Sequence, residues 1–177
     1  LLNALAAIRV AALFGAEPRD VAAGLESVTP LSGRTTIRRG DFTLVDDCYN
    51  ANAESAIAAM SFCDSVEAAG RRIYVLGSMK ELGDESVASH RRVGSAAAAS
   101  RADILEFYGE EAREAYEAAR SAAPALDVRW FNDYGRLEED VAATVRAGDL
   151  VLVKASRSMA LERLVERLTG TGGHHVP

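Results

Sequence analysis

Three polar stretches carry the side chains in this sequence that could do chemistry. The first is Asp46-Asp47-Cys48-Tyr49-Asn50-Ala51-Asn52, between the apolar run Phe42 to Val45 and an alanine-rich helical pattern that begins at about Glu54. Ligands in open α/β sheets gather at the carboxyl ends of strands, where such turns lie. Asp and Asn are also ordinary cap and turn residues, so spacing alone leaves both readings open. The second stretch is Gly77-Ser78-Met79-Lys80-Glu81-Leu82-Gly83-Asp84-Glu85-Ser86. Gly77 and Gly83 supply bends that could close it around a small ligand. Alternatively, Asp84 caps the next helix with Glu85 in its first turn. His90, within that helix, reads as a packing or surface residue. The third is Lys154-Ala155-Ser156-Arg157-Ser158. Two cations at a helix start suit a carboxylate or a phosphate. The bland reading makes Ser158 an N-cap and leaves the cations solvated.

The hydrophobic pattern predicts the elements that position these stretches. Residues 2–14 are apolar on nearly every face, apart from Asn3 and Arg9, which predicts a helix buried against another body. Gly15 ends it, and Pro18 opens a second helix that runs to about Ser27. Residues 28–33, with Thr29-Pro30 and Ser32-Gly33, read as a linker and a domain boundary. Runs 34–39 and 42–46 flank Gly40-Asp41 as a hairpin. Helices at about 54–69, 84–101, 110–122, 133–146 and 158–169 then alternate with strands 72–77, 103–108, 127–131 and 149–153. That alternation predicts an α/β fold. It is a Rossmann-like, mostly parallel sheet with helices on both faces and an antiparallel hairpin at one edge. Right-handed crossovers bring the carboxyl ends of the parallel strands to one edge, so the three polar loops can converge. The expected domains are 1–27, the linker 28–33, 34–170 and a tail 171–177, whose His174-His175 pair reads as frayed.

A chain of 177 residues is one domain, or one domain plus a fragment of another. A net charge of −6 argues against a nucleic-acid or anionic-membrane surface. No apolar run approaches a membrane span, and no signal peptide is visible. The two cysteines lack metal-ligand spacing, so a reduced, cytoplasmic setting fits. No Gly-x-x-x-x-Gly-Lys-Ser/Thr or Gly-x-Gly-x-x-Gly motif is present. The chain opens inside a helical pattern without an initiator methionine, as a C-terminal piece of something longer would.

Taken in order, these motifs resemble the C-terminal part of the Mur ligases, the ATP-dependent amide ligases of peptidoglycan synthesis. Asn3-Ala4-Leu5-Ala6-Ala7 looks like the end of the family's central ATPase domain, and Gly33-Arg34 like the arginine after its linker. Asp46 to Asn52 is similar to the signature Asp-x-x-Tyr-Asn-Ala-Asn-Pro. Leu76 to Gly83, followed by His90 and Val93-Gly94, is similar to Leu-Gly-Asp-Met-x-Glu-Leu-Gly…His. Val151 to Met159 is similar to Val-Leu-Val-Lys-Gly-Ser-Arg. Ala53, Ser78 and Ala155 depart from the usual Pro, Asp and Gly, and position 78 bears on the amine-substrate pocket. The Asp-Asn-Pro-Arg motif of the diaminopimelate-adding branch is absent, which favours the dipeptide-adding branch.

The resemblance implies a three-domain enzyme in which ATP phosphorylates the terminal carboxylate of UDP-N-acetylmuramoyl-tripeptide. The amine of D-alanyl-D-alanine then attacks. Such a step needs alignment and charge stabilisation more than a protein nucleophile, so no catalytic residue is expected here. By the same resemblance Asn3 contacts adenine, Arg34 the phosphates and Asp47 the ribose hydroxyls. Tyr49, Asn50 and Asn52 line the meeting point with the amine, and Lys154, Ser156 and Arg157 hold its carboxylate or orient its neighbours. ATP and Mg2+ are bound mainly by the upstream domains, over which this domain closes as a lid by rotating about 28–33. The chain alone is then expected to be inactive, and the enzyme a cytoplasmic monomer. The alternatives are another Mur-type or folylpolyglutamate-type ligase, or a non-catalytic α/β binding module.

Overall fold

The computed structural model describes residues 2–28 and 35–170, with Leu2 as backbone only. Most of the expected linker, Arg34 and the tail with its His174-His175 pair lie outside the described residues. The chain divides into two units, Leu1–Leu31 and Ser32–Pro177.

The first unit holds helices α1 (Leu2–Leu13) and α2 (Pro18–Glu26), with Gly15 at φ 76° between them. The burial expected of α1 is not observed. No described residue of this unit is buried, and Leu13 and Phe14 are 82% and 88% exposed. Helices of twelve and nine residues enclose too little volume to sequester a side chain.

The second unit is the α/β fold that the alternation predicts. Strands β1 (Thr36–Arg39), β2 (Thr43–Asp47), β3 (Arg72–Gly77), β4 (Ile104–Tyr108), β5 (Asp127–Phe131) and β6 (Leu150–Lys154) form one sheet in the order β1-β2-β6-β3-β4-β5. Only the edge pair β1/β2 is antiparallel. Helices α3 (Ala53–Ser65), α4 (Ser86–Ala98) and α5 (Arg113–Ala122) cover one face through Val45, Tyr74, Leu105, Phe107, Leu150 and Leu152. Helices α6 (Tyr134–Thr144) and α7 (Glu162–Thr169) cover the other through Leu44, Ile73, Val75, Val151 and Val153. Alternate residues of β3 and β6 thus face opposite layers, as the pleat requires, and both faces being covered explains their unbroken apolar runs.

Three of the helix boundaries that differ from the expected ones have a local cause. α3 stops at Ser65, where Arg72 donates to the carbonyls of Val66 (2.8 Å) and Cys63 (3.4 Å), capping the helix from the strand that follows it. α4 starts at Ser86 after a 3₁₀ turn, Gly83–Glu85, and Asp84 does not cap it. α7 starts at Glu162, not Ser158, because Arg157–Met159 form a 3₁₀ turn that ends in left-handed Ala160 at φ 50°.

One deeply buried carboxyl in the second unit has no hydrogen-bond partner among the described residues. It belongs to Glu106 on β4, which is 0% exposed. Its register partner Arg129 comes no closer than 3.9 Å, because that guanidinium is held by Asp127, Asp140 and Thr144. Burial, reinforced by Asp140, pushes the Glu106 carboxyl up from 4.5 to about 8, against the pull of Arg129. Between those values the folded state holds a proton that the unfolded chain has released. Stability should therefore fall as pH rises from about 4.5 to about 8. Glu106→Gln should flatten that slope, measured as urea midpoints across the range. An unchanged slope would mean that Glu106 is ionised in the fold.

Candidate functional site

The sheet order places β6 between β2 and β3, so the three polar loops leave adjacent strands. Asp47 pairs in register with Lys154, and Lys154 with Leu76. Strand alternation separates the two adjacent carboxylates. Asp46, 2% exposed, accepts from the Cys48 thiol at 3.0 Å and faces Arg38 at 3.7 Å. Asp47, like Val45, points to the layer of α3. Of these two carboxylates only Asp47 therefore faces the side on which the cavity lies. Burial and the adjacent Asp46 push the Cys48 thiol up, so it stays protonated and is no nucleophile.

Asp47 opens into a cavity of about 600 Å³ lined by Thr35, Tyr49, Asn50, Asn52, Ser55, Ala58, Ala59, Phe62 and Lys154. Its Oδ1 accepts from the Thr35 backbone N–H (2.9 Å) and hydroxyl (3.2 Å). Its Oδ2 accepts from Lys154 Nζ at 2.6 Å. Lys154, only 2% exposed, also donates to the Asn50 carbonyl at 2.9 Å. A carboxylate offers about four lone-pair sites. With three of them taken, Asp47 can accept from one more donor as it stands, and from two if the Thr35 hydroxyl turns away.

Asn52 begins α3. Its side chain accepts from the Ser55 N–H at 2.8 Å, and Ser55 Oγ accepts from the Asn52 N–H at 3.1 Å, a reciprocal capping box. The cap aims the first turn of α3 at the cavity. Ser55, Ala58, Ala59 and Phe62 then form a wall at positions i, i+3, i+4 and i+7. A polar rim at Asp47, Asn50 and Asn52 beside this small-residue and aromatic wall suits a flat or ring-shaped group bearing hydroxyls.

The other predicted residues fall in different places. Arg157 is exposed and lies over the Tyr49 ring, 5.1 Å from its centroid, a cation–π stack at the mouth of the site. Ser156 is 4% exposed and accepts from the Lys80 N–H at 2.8 Å, while its own N–H donates to the Ser78 carbonyl at 3.3 Å. Its hydroxyl is covered and already paired, so Ser156 bridges two loops rather than facing the cavity. Asn3 is an exposed residue of α1 in the other unit, and Arg34 lies outside the described residues.

The model of the Mur ligase glutamate ligase domain matches residues 33–157. The chain belongs to the Mur ligase family. It is 39% identical over 162 residues to UDP-N-acetylmuramoyl-tripeptide–D-alanyl-D-alanine ligase of Treponema pallidum, covering 92% of this chain and 35% of that protein. It is 33% identical over 170 residues to the Bacillus subtilis ligase of the same name, covering 95% of this chain and 37% of that protein. Among solved structures it is similar to MurF from Acinetobacter baumannii, with a TM-score of 0.78 and 27% identity over 95% of this chain and 37% of that one. It is also similar to the Thermotoga maritima MurF ligase in complex with ADP, with a TM-score of 0.70 and 26% identity over 92% of this chain and 36% of that one. The chain spans little more than a third of the length of these curated relatives.

Within this Mur ligase domain, sequence reasoning missed Thr35 and the α3 wall. The wall had a signal, the helical spacing of Ser55, Ala58, Ala59 and Phe62 after an Asn cap. Thr35 had none, because it meets Asp47 across the hairpin.

Proposed function

We propose that this chain is the closing domain of an ATP-dependent amide ligase that joins D-alanyl-D-alanine to UDP-N-acetylmuramoyl-tripeptide. In that reading it acts as a lid in a monomeric cytoplasmic enzyme of peptidoglycan synthesis. The observation that carries the reading is the Asp46–Asn52 motif set around one cavity, in a chain whose relatives bear that ligase's name. ATP supplies the phosphoryl group that activates the tripeptide carboxylate. Asp47 accepts from the ribose hydroxyls, the second one replacing Thr35 Oγ. Lys154 holds Asp47 in place. Asn50, Asn52 and Tyr49 line the approach of the amine, and exposed Arg157 receives the dipeptide carboxylate, a pairing that guanidinium forks suit. Among the described residues no group of three His, Cys, Asp or Glu is placed to hold a metal. In this reading Mg2+ sits with the triphosphate on the upstream part of the enzyme, Arg34 meets the phosphates and Asn3 the adenine.

The test uses the full-length enzyme. Phosphate release is followed with ATP, Mg2+ and UDP-N-acetylmuramoyl-tripeptide, adding D-alanyl-D-alanine or single amino acids in turn. Release that requires the dipeptide supports the reading. Release only with another amine keeps a Mur-type ligase and overturns the acceptor, and no release with any amine favours a binding module. Asp47→Ala and Arg34→Ala should each raise the KM for ATP by about tenfold or more, since each removes hydrogen bonds to or from a charged group. Wild-type ATP kinetics in both variants would sink the nucleotide assignment.

A further inference from the structure

His90 sits on α4, 2% exposed, with both ring nitrogens engaged. Nδ1 lies 2.7 Å from the Ser86 carbonyl oxygen, one helical turn earlier, and Nε2 lies 3.0 Å from the Met79 backbone nitrogen. A carbonyl only accepts and a backbone N–H only donates. Nδ1 therefore carries the proton, Nε2 is the acceptor, and the ring is neutral in a single tautomer.

Met79 is the middle of the second polar loop, and its neighbours are tied down on both sides. The Ser78 N–H donates to the Tyr108 carbonyl at 2.8 Å, and Ser78 Oγ accepts from the Ala112 N–H at 3.1 Å. Lys80 N–H meets Ser156 Oγ, and Glu81 is held at φ 64°, a conformation that a non-glycine residue adopts only under constraint. Ser156 in turn immediately precedes Arg157, which stacks on Tyr49. Two hydrogen bonds joined by the backbone thus link His90 through Met79, Lys80 and Ser156 to Arg157, whose stack on Tyr49 lies at the mouth of the site.

We propose that His90 is a positioning residue for the amine substrate: its neutral imidazole, oriented by Ser86, holds the Met79 N–H and so sets the loop on which Ser156 and Arg157 rest. The inference rests on the ligase reading above. His90 touches no substrate. It decides where the Arg157 guanidinium stands relative to Tyr49, and hence how well the dipeptide carboxylate is met. Among the described residues the hydrogen bonds of Asp47 go to Thr35 and Lys154, not to Met79, Lys80 or Ser156, so the two substrates should respond differently.

The test compares two variants of the full-length enzyme. His90→Asn keeps a donor for Ser86 but is too short to accept from Met79. His90→Gln is long enough to present an acceptor near the Nε2 position. His90→Asn should raise the KM for D-alanyl-D-alanine about tenfold, the expected effect of one unpaired buried N–H, with the KM for ATP unchanged. His90→Gln should recover most of the loss. Wild-type enzyme gives an independent reading that does not depend on either variant folding. Protonating Nε2 removes the acceptor, so the dipeptide KM should rise on acidification and rise less in His90→Gln. Burial holds the imidazole below its ordinary range, and the charged groups that face it are Lys80 on the loop, Glu111 before α5 and Glu114 on α5. Unchanged dipeptide KM in His90→Asn, or an equal rise in both KM values, overturns the role of His90 and leaves the ligase standing. Wild-type enzyme that releases no phosphate with any amine overturns both.

Discussion

Lys154→Met is expected to lower the stability of the folded domain by about 3 kcal/mol, the lower end of what breaking a buried ion pair costs. The lysine side chain is 2% exposed and its partner Asp47 is 15% exposed. Removing the ammonium leaves the Asp47 carboxylate without its counter-charge and the Asn50 carbonyl without its donor. Methionine fills most of the vacated volume and avoids desolvating a cation, which offsets part of the loss. Asp47 also keeps the two Thr35 donors and some access to water. These features place the estimate at the low end rather than near 5 kcal/mol. The excess lies in the stranded carboxylate, so adding Asp47→Asn to Lys154→Met should restore about 1 kcal/mol or more. Urea unfolding of the two single variants and the double variant measures this directly. Strict additivity would show that the pair behaves as two solvated charges, despite its 2.6 Å separation. ATP use by the full-length Lys154→Met enzyme should fall with it, because the lysine also fixes the backbone at Asn50.

How far the sequence discloses this arrangement depends on the range of the forces involved. Strand β3 matches its expected span of 72–77, because a run buried on both faces is apolar throughout and its ends are abrupt. The hairpin at Gly40-Asp41 and the edge position of β1 follow from local turn chemistry. The convergence of the three loops was legible from handedness alone. That β6 lies between β2 and β3 was not, since strand order is set by contacts far apart in the chain. The separation of Asp46 from Asp47 needed only the period of two along a strand, once Val45 was assigned to the core. By contrast, the early stop of α3 is capped by Arg72, and the burial of Ser156 depends on Lys80. Neither partner is a neighbour in sequence, and no propensity encodes either bond. His90 is the clearest case of the difference. As a lone helical histidine it reads as packing, and packed it is, but its two hydrogen bonds give the packing a direction.

Gly94→Ala should destabilise the domain by about 3 kcal/mol or more, against the sign that helix propensity alone would give. Alanine in place of glycine within a helix is ordinarily worth about 1 kcal/mol of added stability. At Gly94 on α4, however, a Cβ would lie 2.0 Å from the Ala115 carbonyl oxygen and 2.7 Å from that residue's Cα and carbonyl carbon. These are backbone atoms of α5 and cannot rotate away, so the helices themselves must separate. Gly24 on α2 is the control, since a Cβ there meets nothing within 4 Å and its substitution should show only the propensity gain. Equilibrium unfolding of both variants separates the two effects, and a stabilised Gly94→Ala would refute the close approach of α4 and α5. Displacing α4 has a second consequence, because His90 lies one helical turn before Gly94 on the same face of the helix. A shift that relieves the Ala115 contact moves the imidazole relative to Met79. Where the full-length Gly94→Ala enzyme still folds, its KM for the dipeptide should therefore rise as it does in His90→Asn, and the KM for ATP should not.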